Sequence, residues 1–367
     1  MNKKTYFITG GGTGGHIYPA IAVADELLKD ESTDKIYYVG NPDNLEASII
    51  KDKDYEFLPV KSSGMPRKIS LDLLKWSGGM FTAWVKCCSY IHKYNPDVVF
   101  GTGGYVSAPV LMAAITMKVP FVMHDCDANP GLVTRELAPF AKSVSIAFEE
   151  AKLKLKTDKC NLNGNPIRPA FKTLTKQDAR NALALQDRLT ICIMGGSQGA
   201  KQINSAAVKI LKELSQKQKL QIIFQTGKRN YEAVITELKE VYPDYAQDKN
   251  IIIKPYFDDM VTVLKACDIA ISRAGSLSIS ELCASGIAPI FIPYPHAAAD
   301  HQRKNAKCML KAGAGLYLED SDTTPETLLN MLSELTKDSE KLSSIQNAAL
   351  SLAKYDGIQK IIEQIKE

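Results

Sequence analysis

A strand, a glycine-rich loop and a helix follow one another twice along this chain, and that repeat restricts the fold more than any other feature. In the first copy Tyr6-Phe7-Ile8 is an apolar run that suits a buried strand. The loop Thr9-Gly10-Gly11-Gly12-Thr13-Gly14-Gly15-His16 comes next. Ile17 to Leu28 then carries apolar residues at helical spacing, with Pro19 where a first turn tolerates one. In the second copy Leu189 to Met194 reads as the strand, Gly195-Gly196-Ser197-Gln198-Gly199-Ala200 as the loop and Ile203 to Leu214 as the helix. Free N–H groups and the positive end of the helix dipole point into such a loop, and glycine lets backbone approach a ligand closely. Both copies therefore read as anion sites. His16 sets the first apart, because it places an ionisable group at a phosphate or sugar site.

Strands alternate with helices around these loops. Apolar runs predict strands at 5–9, 35–39, 97–100, 119–123 and 143–147, then at 189–194, 220–224, 250–253, 268–271 and 288–292. The alternation predicts an α/β protein of two Rossmann-like, doubly wound parallel-sheet domains facing a central cleft, with ligands at the carboxyl ends of the strands. At 367 residues the chain is long enough for two cores. Residues 1–165 are expected to form the first domain and 166–340 the second, with Gly164-Asn165-Pro166-Ile167-Arg168-Pro169 as the hinge. The last helical segment, about 341–367, is expected to cross back onto the first domain.

Composition excludes more than it selects. A net charge of +4 is too small to argue for nucleic acid, though it is compatible with an anionic membrane surface. The eight cysteines show no CxxC spacing, and several, such as Cys192 and Cys267, fall in apolar runs that suit reduced thiols and a cytosolic setting. Glycines interrupt the N-terminus before a signal-peptide core can develop. Val106 to Met123 is divided by Lys118 and Pro120 into a helix and a strand, which argues against a membrane span. Gly10, Gly12 and Gly15 satisfy G-x-G-x-x-G, but a dinucleotide site wants an acidic residue at the end of the second strand. That strand runs instead into Gly40-Asn41-Pro42.

The second half carries a sharper constellation. Ser272-Arg273-Ala274-Gly275-Ser276-Leu277-Ser278-Ile279-Ser280-Glu281 follows a strand and opens a helix. Its small residues suit a diphosphate against the helix start, with Ser276 and Ser278 donating hydrogen bonds. Glu281 comes within two turns and can accept from both ribose hydroxyls. Downstream of Pro293-Tyr294-Pro295-His296, His301 and Gln302 open another helix with groups that read sugar hydroxyls. The plain alternative, a helix-capping Glu281 and a surface His301-Gln302, suits an isolated residue better than this whole set.

These segments, GGGTGGHIYPA, GTGGYVSAP, GNPIRP, GGSQGAKQIN, SRAGSLSISE and PYPHAAADHQRKNA, run nearly the full length. In this order they resemble the MurG family of UDP-N-acetylglucosamine–N-acetylmuramyl-(pentapeptide) pyrophosphoryl-undecaprenol N-acetylglucosamine transferases. The resemblance implies the GT-B architecture and one inverting sugar transfer in peptidoglycan synthesis. UDP-N-acetylglucosamine would be the donor, lipid I on the cytoplasmic leaflet the acceptor and lipid II the product. By the same resemblance Ser197 and Arg168 would hold the diphosphate region, Phe257 would present backbone groups to uracil, and Ser276, Leu277, Ser278, Ile279, Ser280 and Glu281 would hold diphosphate and ribose. Gln302 would read the N-acetylglucosamine, Thr13, Gly14 and Gly15 would close over the donor, and Tyr105 and His124 would help form the acceptor side.

Inversion in one displacement needs a base beside the acceptor hydroxyl and charge stabilisation on departing UDP. His16 is the candidate base, since an unperturbed imidazole titrates near pH 6.5. The competing reading has it only position a phosphate or sugar. Asp125 is the rival base. The family usually reads His-Glu-Gln-Asn where this chain has His124-Asp125-Cys126-Asp127. Asp125 reaches one methylene less far, Asp127 brings a charge near the bound sugar, and Asn129 is placed to substitute in part. Asp125-Cys126-Asp127 and Asp52-Lys53-Asp54 match the D-x-D pattern of metal-dependent transferases, a pattern common by chance. No tightly bound cofactor or metal is expected, a divalent cation being at most stimulatory. Two rivals stand beside the transferase: a non-hydrolysing UDP-N-acetylglucosamine epimerase, and a catalytically weak sugar-nucleotide-binding protein.

Membrane contact has its own stretch. Ile69, Leu73, Trp76, Met80, Phe81 and Trp84 recur at helical spacing, with Arg67, Lys68, Lys75 and Lys86 around them. Such a stripe more often packs into a core. Gly78-Gly79 interrupt it, however, and both tryptophans of the chain lie in it, which suits an interfacial patch and peripheral attachment.

Overall fold

The apolar runs become the central strands of two parallel sheets. The computed structural model describes residues 3–66, 70–196 and 198–367, divided into one unit of Met1–Ile167 with Asp356–Glu367 and another of Arg168–Tyr355. The first sheet holds β1 (Lys4–Thr9), β2 (Thr33–Gly40), β3 (Glu56–Pro59), β4 (Val98–Gly101), β5 (Phe121–Asp125), β6 (Ser143–Ile146) and β7 (Cys160–Leu162). Its order is β3-β2-β1-β4-β5-β6-β7. The second holds β8 (Thr190–Met194), β9 (Gln221–Gln225), β10 (Ile251–Lys254), β11 (Ile269–Ser272), β12 (Ala288–Phe291) and β13 (Leu316–Tyr317), in the order β10-β9-β8-β11-β12-β13. Ile8 lies opposite Tyr38 and Phe100 on one face of the first sheet and Phe7 opposite Tyr37 and Val99 on the other; Ile193 lies opposite Phe224 and Ile271, and Cys192 opposite Ile223 and Ala270, so the middle strands of both sheets are apolar on both faces.

Strand order reverses between β1 and β4 and again between β8 and β11. Open α/β sheets bind ligands beside such reversals, at the carboxyl ends of the strands. The two glycine loops leave β1 and β8, so each sits at its own sheet's reversal.

Several boundaries differ from expectation for physical reasons. β3, β7 and β13 are edge strands of four, three and two residues, too short to show a period. β5 begins after Pro120 and continues through His124 and Asp125, which draws both into the sheet. Pro19 is the sixth residue of the helix Gly14–Leu27, inside it and past the first turn. Lacking an N–H, it leaves the Gly15 carbonyl outside the helical ladder.

The divide falls at Ile167/Arg168, and the return to the first unit comes later than expected. The helix Ser339–Ser351 stays with the second unit, where Leu342 and Ile345 join the core of Ile191, Ile193 and Leu332. Only Gly357–Lys366 belongs to the first unit, burying Ile361 and Ile365 against Ile17, Ala20 and Val122. Among the described residues no helix is long and apolar enough to cross a membrane.

Candidate active site

Around the first glycine loop, Thr102, just after β4, and His16 hold each other. The Thr102 hydroxyl donates to the His16 carbonyl at 2.6 Å, and the His16 ring meets the Thr102 carbonyl through Nδ1 at 2.8 Å. A carbonyl oxygen only accepts, so Nδ1 carries the proton and Nε2 is left as the basic nitrogen of the neutral ring. Gly104, at φ +78, lets the β4 loop pass under this ring; a Cβ there would sit 2.4 Å from the Gly11 carbonyl oxygen. Thr13 is exposed and does not cap the helix with its side chain, so the first-turn N–H groups at Gly14 and Gly15 have no capping side chain there. Tyr105 accepts from Asn44 Nδ2 at 2.9 Å through its hydroxyl and lies half-buried against Gly12.

His16 also lines a cavity of about 710 Å³ in the same unit. Trp76, Met80, Trp84, Tyr105 and Leu132 share its wall. The helix Leu71–Tyr94 runs unbroken through Gly78-Gly79. Only Ala83, Cys87 and Ile91 of that helix are buried; Leu71, Leu74, Phe81 and Val85 face solvent at 75%, 71%, 60% and 47% exposure. The stripe is thus a cavity wall with an exposed apolar flank. Trp76 Nε1 donates to the Ser63 carbonyl at 2.9 Å, which fixes the indole in that wall. Arg67, Lys68 and Ile69 lie outside the described residues.

The stretch 124–127 departs most from expectation. His124 is fully buried, with Nδ1 3.0 Å from Ser145 Oγ and Nε2 3.0 Å from Asn165 Oδ1. Burial holds the ring pKa down at about 4, so it is neutral at physiological pH. It ties β5 to β6 and the 163–165 stretch and offers no face to an acceptor. Asp125 is also buried: Oδ1 accepts from Asp127 N–H and Oδ2 from Gly131 N–H, both at 3.2 Å. Burial pushes its carboxyl up, partly offset by the Thr134 hydroxyl. With both oxygens engaged inside the protein, Asp125 organises the 127–131 turn and is poorly placed to be the base. Asp127 is half-buried, and Asn129 accepts from Lys154 Nζ at 2.8 Å. Among the described residues no three His, Cys, Asp or Glu side chains group as metal ligands.

In the second unit the loop after β8 is packed from below. Gly199, at φ +77, passes so close to the next turn that a Cβ would lie 2.0 Å from the Thr226 carbonyl oxygen. Asn204 Nδ2 donates to that carbonyl and Asn230 Nδ2 to the Gln198 carbonyl, each at 2.8 Å. Ser197 lies outside the described residues. The N-cap of the helix Ser276–Ser285 is Gly275, which has no side chain to cap it, so the helix start suits an anion. Ser276 is buried, Leu277, Ser278 and Ser280 are half-buried, and the Ile279 side chain is core, leaving that residue only backbone to offer. Glu281 Oε1 accepts from Arg168 Nη2 at 3.1 Å. Burial raises the Glu281 carboxyl and the guanidinium opposes it.

The remaining donor candidates are tied to their own loops. Phe257 donates its N–H to Gln225 Oε1 at 2.9 Å, which commits that donor and leaves the carbonyl as its contribution to a base. Gln302 Oε1 accepts from Tyr294 N–H at 2.9 Å, and His301 Nδ1 donates to the Ala298 carbonyl at 2.7 Å. The sequence reading missed what steadies this segment. Arg273 donates to the carbonyls of Ile292 and Pro293, each at 3.1 Å, and pairs with Asp320 at 2.5 Å. It missed Thr102 and Glu46 as well. An arginine directly after a buried strand was a readable signal for a partner, though not for which one.

Residues 6–146 match the glycosyltransferase family 28 N-terminal domain and residues 190–364 its C-terminal domain. A protein of Desulforamulus reducens named UDP-N-acetylglucosamine–N-acetylmuramyl-(pentapeptide) pyrophosphoryl-undecaprenol N-acetylglucosamine transferase is 38% identical over 362 residues, 98% of this chain and 97% of its own. This chain belongs to the MurG family. The crystal structure of Acinetobacter baumannii MurG superposes with a TM-score of 0.78 at 26% identity, covering 99% of each chain. A putative UDP-N-acetylglucosamine 2-epimerase from Listeria monocytogenes, 15% identical with a TM-score of 0.69 over 99% of this chain and 96% of its own, shares the fold alone. Asp125, at the end of β5, reaches two N–H groups of the turn that follows.

Proposed function

We propose that this chain transfers N-acetylglucosamine from UDP-N-acetylglucosamine to the C4 hydroxyl of the muramyl sugar of lipid I, giving lipid II and UDP. The acceptor oxygen attacks the anomeric carbon, the bond from that carbon to the diphosphate oxygen breaks with its electron pair leaving on UDP, and the hydroxyl proton passes to His16 Nε2. The observation that carries this reading is the bond from His16 Nδ1 to the Thr102 carbonyl, which keeps Nε2 the basic nitrogen at the edge of an apolar cavity. Imidazolium formed there keeps its Nδ1–H on a carbonyl, a charge-assisted bond stronger than the neutral one. On the donor side, Arg168 and the uncapped start of Ser276–Ser285 support binding of the diphosphate and stabilise the charge on departing UDP. Glu281 supports the ribose, and Gln302 the sugar.

The lipid-linked acceptor fits the apolar cavity in kind. The exposed Leu71, Leu74, Phe81 and Val85, with Lys75 and Lys86 on the same helix, favour peripheral attachment to an anionic membrane at its cytoplasmic face. No tightly bound metal enters this scheme. The test is incubation with UDP-N-acetylglucosamine, with and without a lipid I analogue. Acceptor-dependent release of UDP with a disaccharide product supports the transferase. Conversion of the sugar nucleotide alone would identify an epimerase, and binding without turnover a sugar-nucleotide-binding protein.

A further inference from the structure

Glu46 is a charged residue with 0% exposure, while its neighbour Leu45 stands 51% exposed. Its Oε2 accepts from Gly12 N–H at 3.3 Å; its Oε1 accepts from Asn41 N–H at 3.2 Å and from Asn44 Nδ2 at 3.3 Å. Asn44 Nδ2 donates in turn to the Tyr105 hydroxyl at 2.9 Å. The segments leaving β1 and β2 therefore meet on one carboxylate, and Asn44 links the segment leaving β4 to it. Hiding a carboxylate from water is unfavourable unless donors surround it, and an apolar residue of similar size could fill the same space. Here one donor is main chain of the loop that carries His16, and the other two belong to the segment after β2, whose Asn44 also reaches Tyr105. Gly11 fits against this carboxylate closely, since a Cβ there would sit 2.5 Å from Oε1. Tyr38 adds a second hold on the same loop, donating to the Gly10 carbonyl at 2.5 Å.

We propose that Glu46 is the positioning residue for His16, and this rests on His16 being the base. By holding Gly12 N–H it fixes the loop four residues ahead of the imidazole. Through Asn44 it sets Tyr105 in the cavity wall in the same register. Displacements near 1 Å at a reacting centre can lower rates about a hundred-fold. Glu46→Gln keeps the size but turns one acceptor into a donor facing an N–H, so one tether is lost.

The test is a double-mutant cycle on acceptor-dependent turnover, with UDP affinity measured alongside. Glu46→Gln lowers turnover roughly 10- to 100-fold in the wild-type background. Its UDP affinity stays within about two-fold, and in the His16→Ala background it causes no further loss beyond about two-fold. Asn44→Ala, which leaves the Glu46–Gly12 bond in place, gives a smaller loss that also disappears without His16. Should Glu46→Gln fail to fold, the Asn44→Ala cycle decides alone. Equal losses in both backgrounds mean that Glu46 merely supports the fold, and overturn the proposal. A wild-type protein that transfers no sugar refutes the functional reading instead; a transferring wild type with an additive cycle refutes only the role of Glu46.

Discussion

The loops after β1 and β8 hold the same place in their sheets, yet they are furnished differently. Around the first stand His16, Thr102, Glu46 and Tyr105, a set in which one ring nitrogen is held protonated by a carbonyl and the loop is tethered by a buried carboxylate. The second is held by amides, Asn204 and Asn230, and its neighbour after β11 offers hydroxyls, an open helix start and the Arg168–Glu281 pair. A shared backbone device thus serves two ends. Where a titratable ring is oriented, the loop can move a proton; where small residues leave N–H groups open, it can hold an anion.

That contrast predicts which kinetic quantity each loop controls. His16→Ala should lower turnover about 10²- to 10⁴-fold while leaving UDP affinity nearly unchanged, read by steady-state rates beside calorimetric UDP binding. Equal loss of both would break the comparison and return His16 to a positioning role. Glu281→Gln should do the reverse, weakening UDP binding about 10- to 100-fold with a smaller effect on turnover at saturating donor.

Smaller effects sharpen the picture on the first side. Trp76→Glu with Phe81→Glu should reduce partitioning onto anionic liposomes by about ten-fold or more while circular dichroism stays unchanged. Unaltered partitioning in a folded variant removes the membrane role of this helix. His124, with its pKa held near 4 against about 6.5 when unfolded, stays neutral in the folded chain while the unfolded chain gains a proton. Its contribution is therefore fully present above pH 6.5 and is lost as pH falls toward 4, by about 3 kcal/mol at most. Asp125, raised by burial, acts in the opposite sense, so the measurement is the difference in denaturant midpoint between wild type and His124→Gln across that window. The difference should flatten above pH 6.5. Removal of divalent ions by a chelator should matter least and leave most of the turnover in place; activity that vanished and returned only with a divalent ion would give the D-x-D segment a metal-binding role.

The glycine loops and central strands were legible because period, breaker residues and helix starts are local properties. His16 stood out for the same reason. Glu46 did not: hydropathy alone would bury Leu45 and expose its neighbour, and the structure does the opposite. Arg273 was visible as a residue, but its partner Asp320 lies 47 positions on, beyond any local signal. His124 was assigned to the acceptor side by resemblance and Asp125 named as the rival base, while the strand was expected to end at Met123; two more strand residues draw both inside. The crossover back to the first unit was anticipated in kind and misplaced in position, since the helices Ser339–Ser351 and Gly357–Lys366 are both amphipathic and nothing local says which sheet each serves.

That crossover makes the second unit an insertion within the first. Lys4 Nζ donates to the Lys366 carbonyl at 2.9 Å, so β1 and the helix Gly357–Lys366 are neighbours. A fragment ending at Ile167 would lack Ile361 and Ile365 and uncover the apolar surface they shield. Ribosomal synthesis must likewise pass Ile365 before the first unit can finish folding, whereas the second is complete once Tyr355 has emerged.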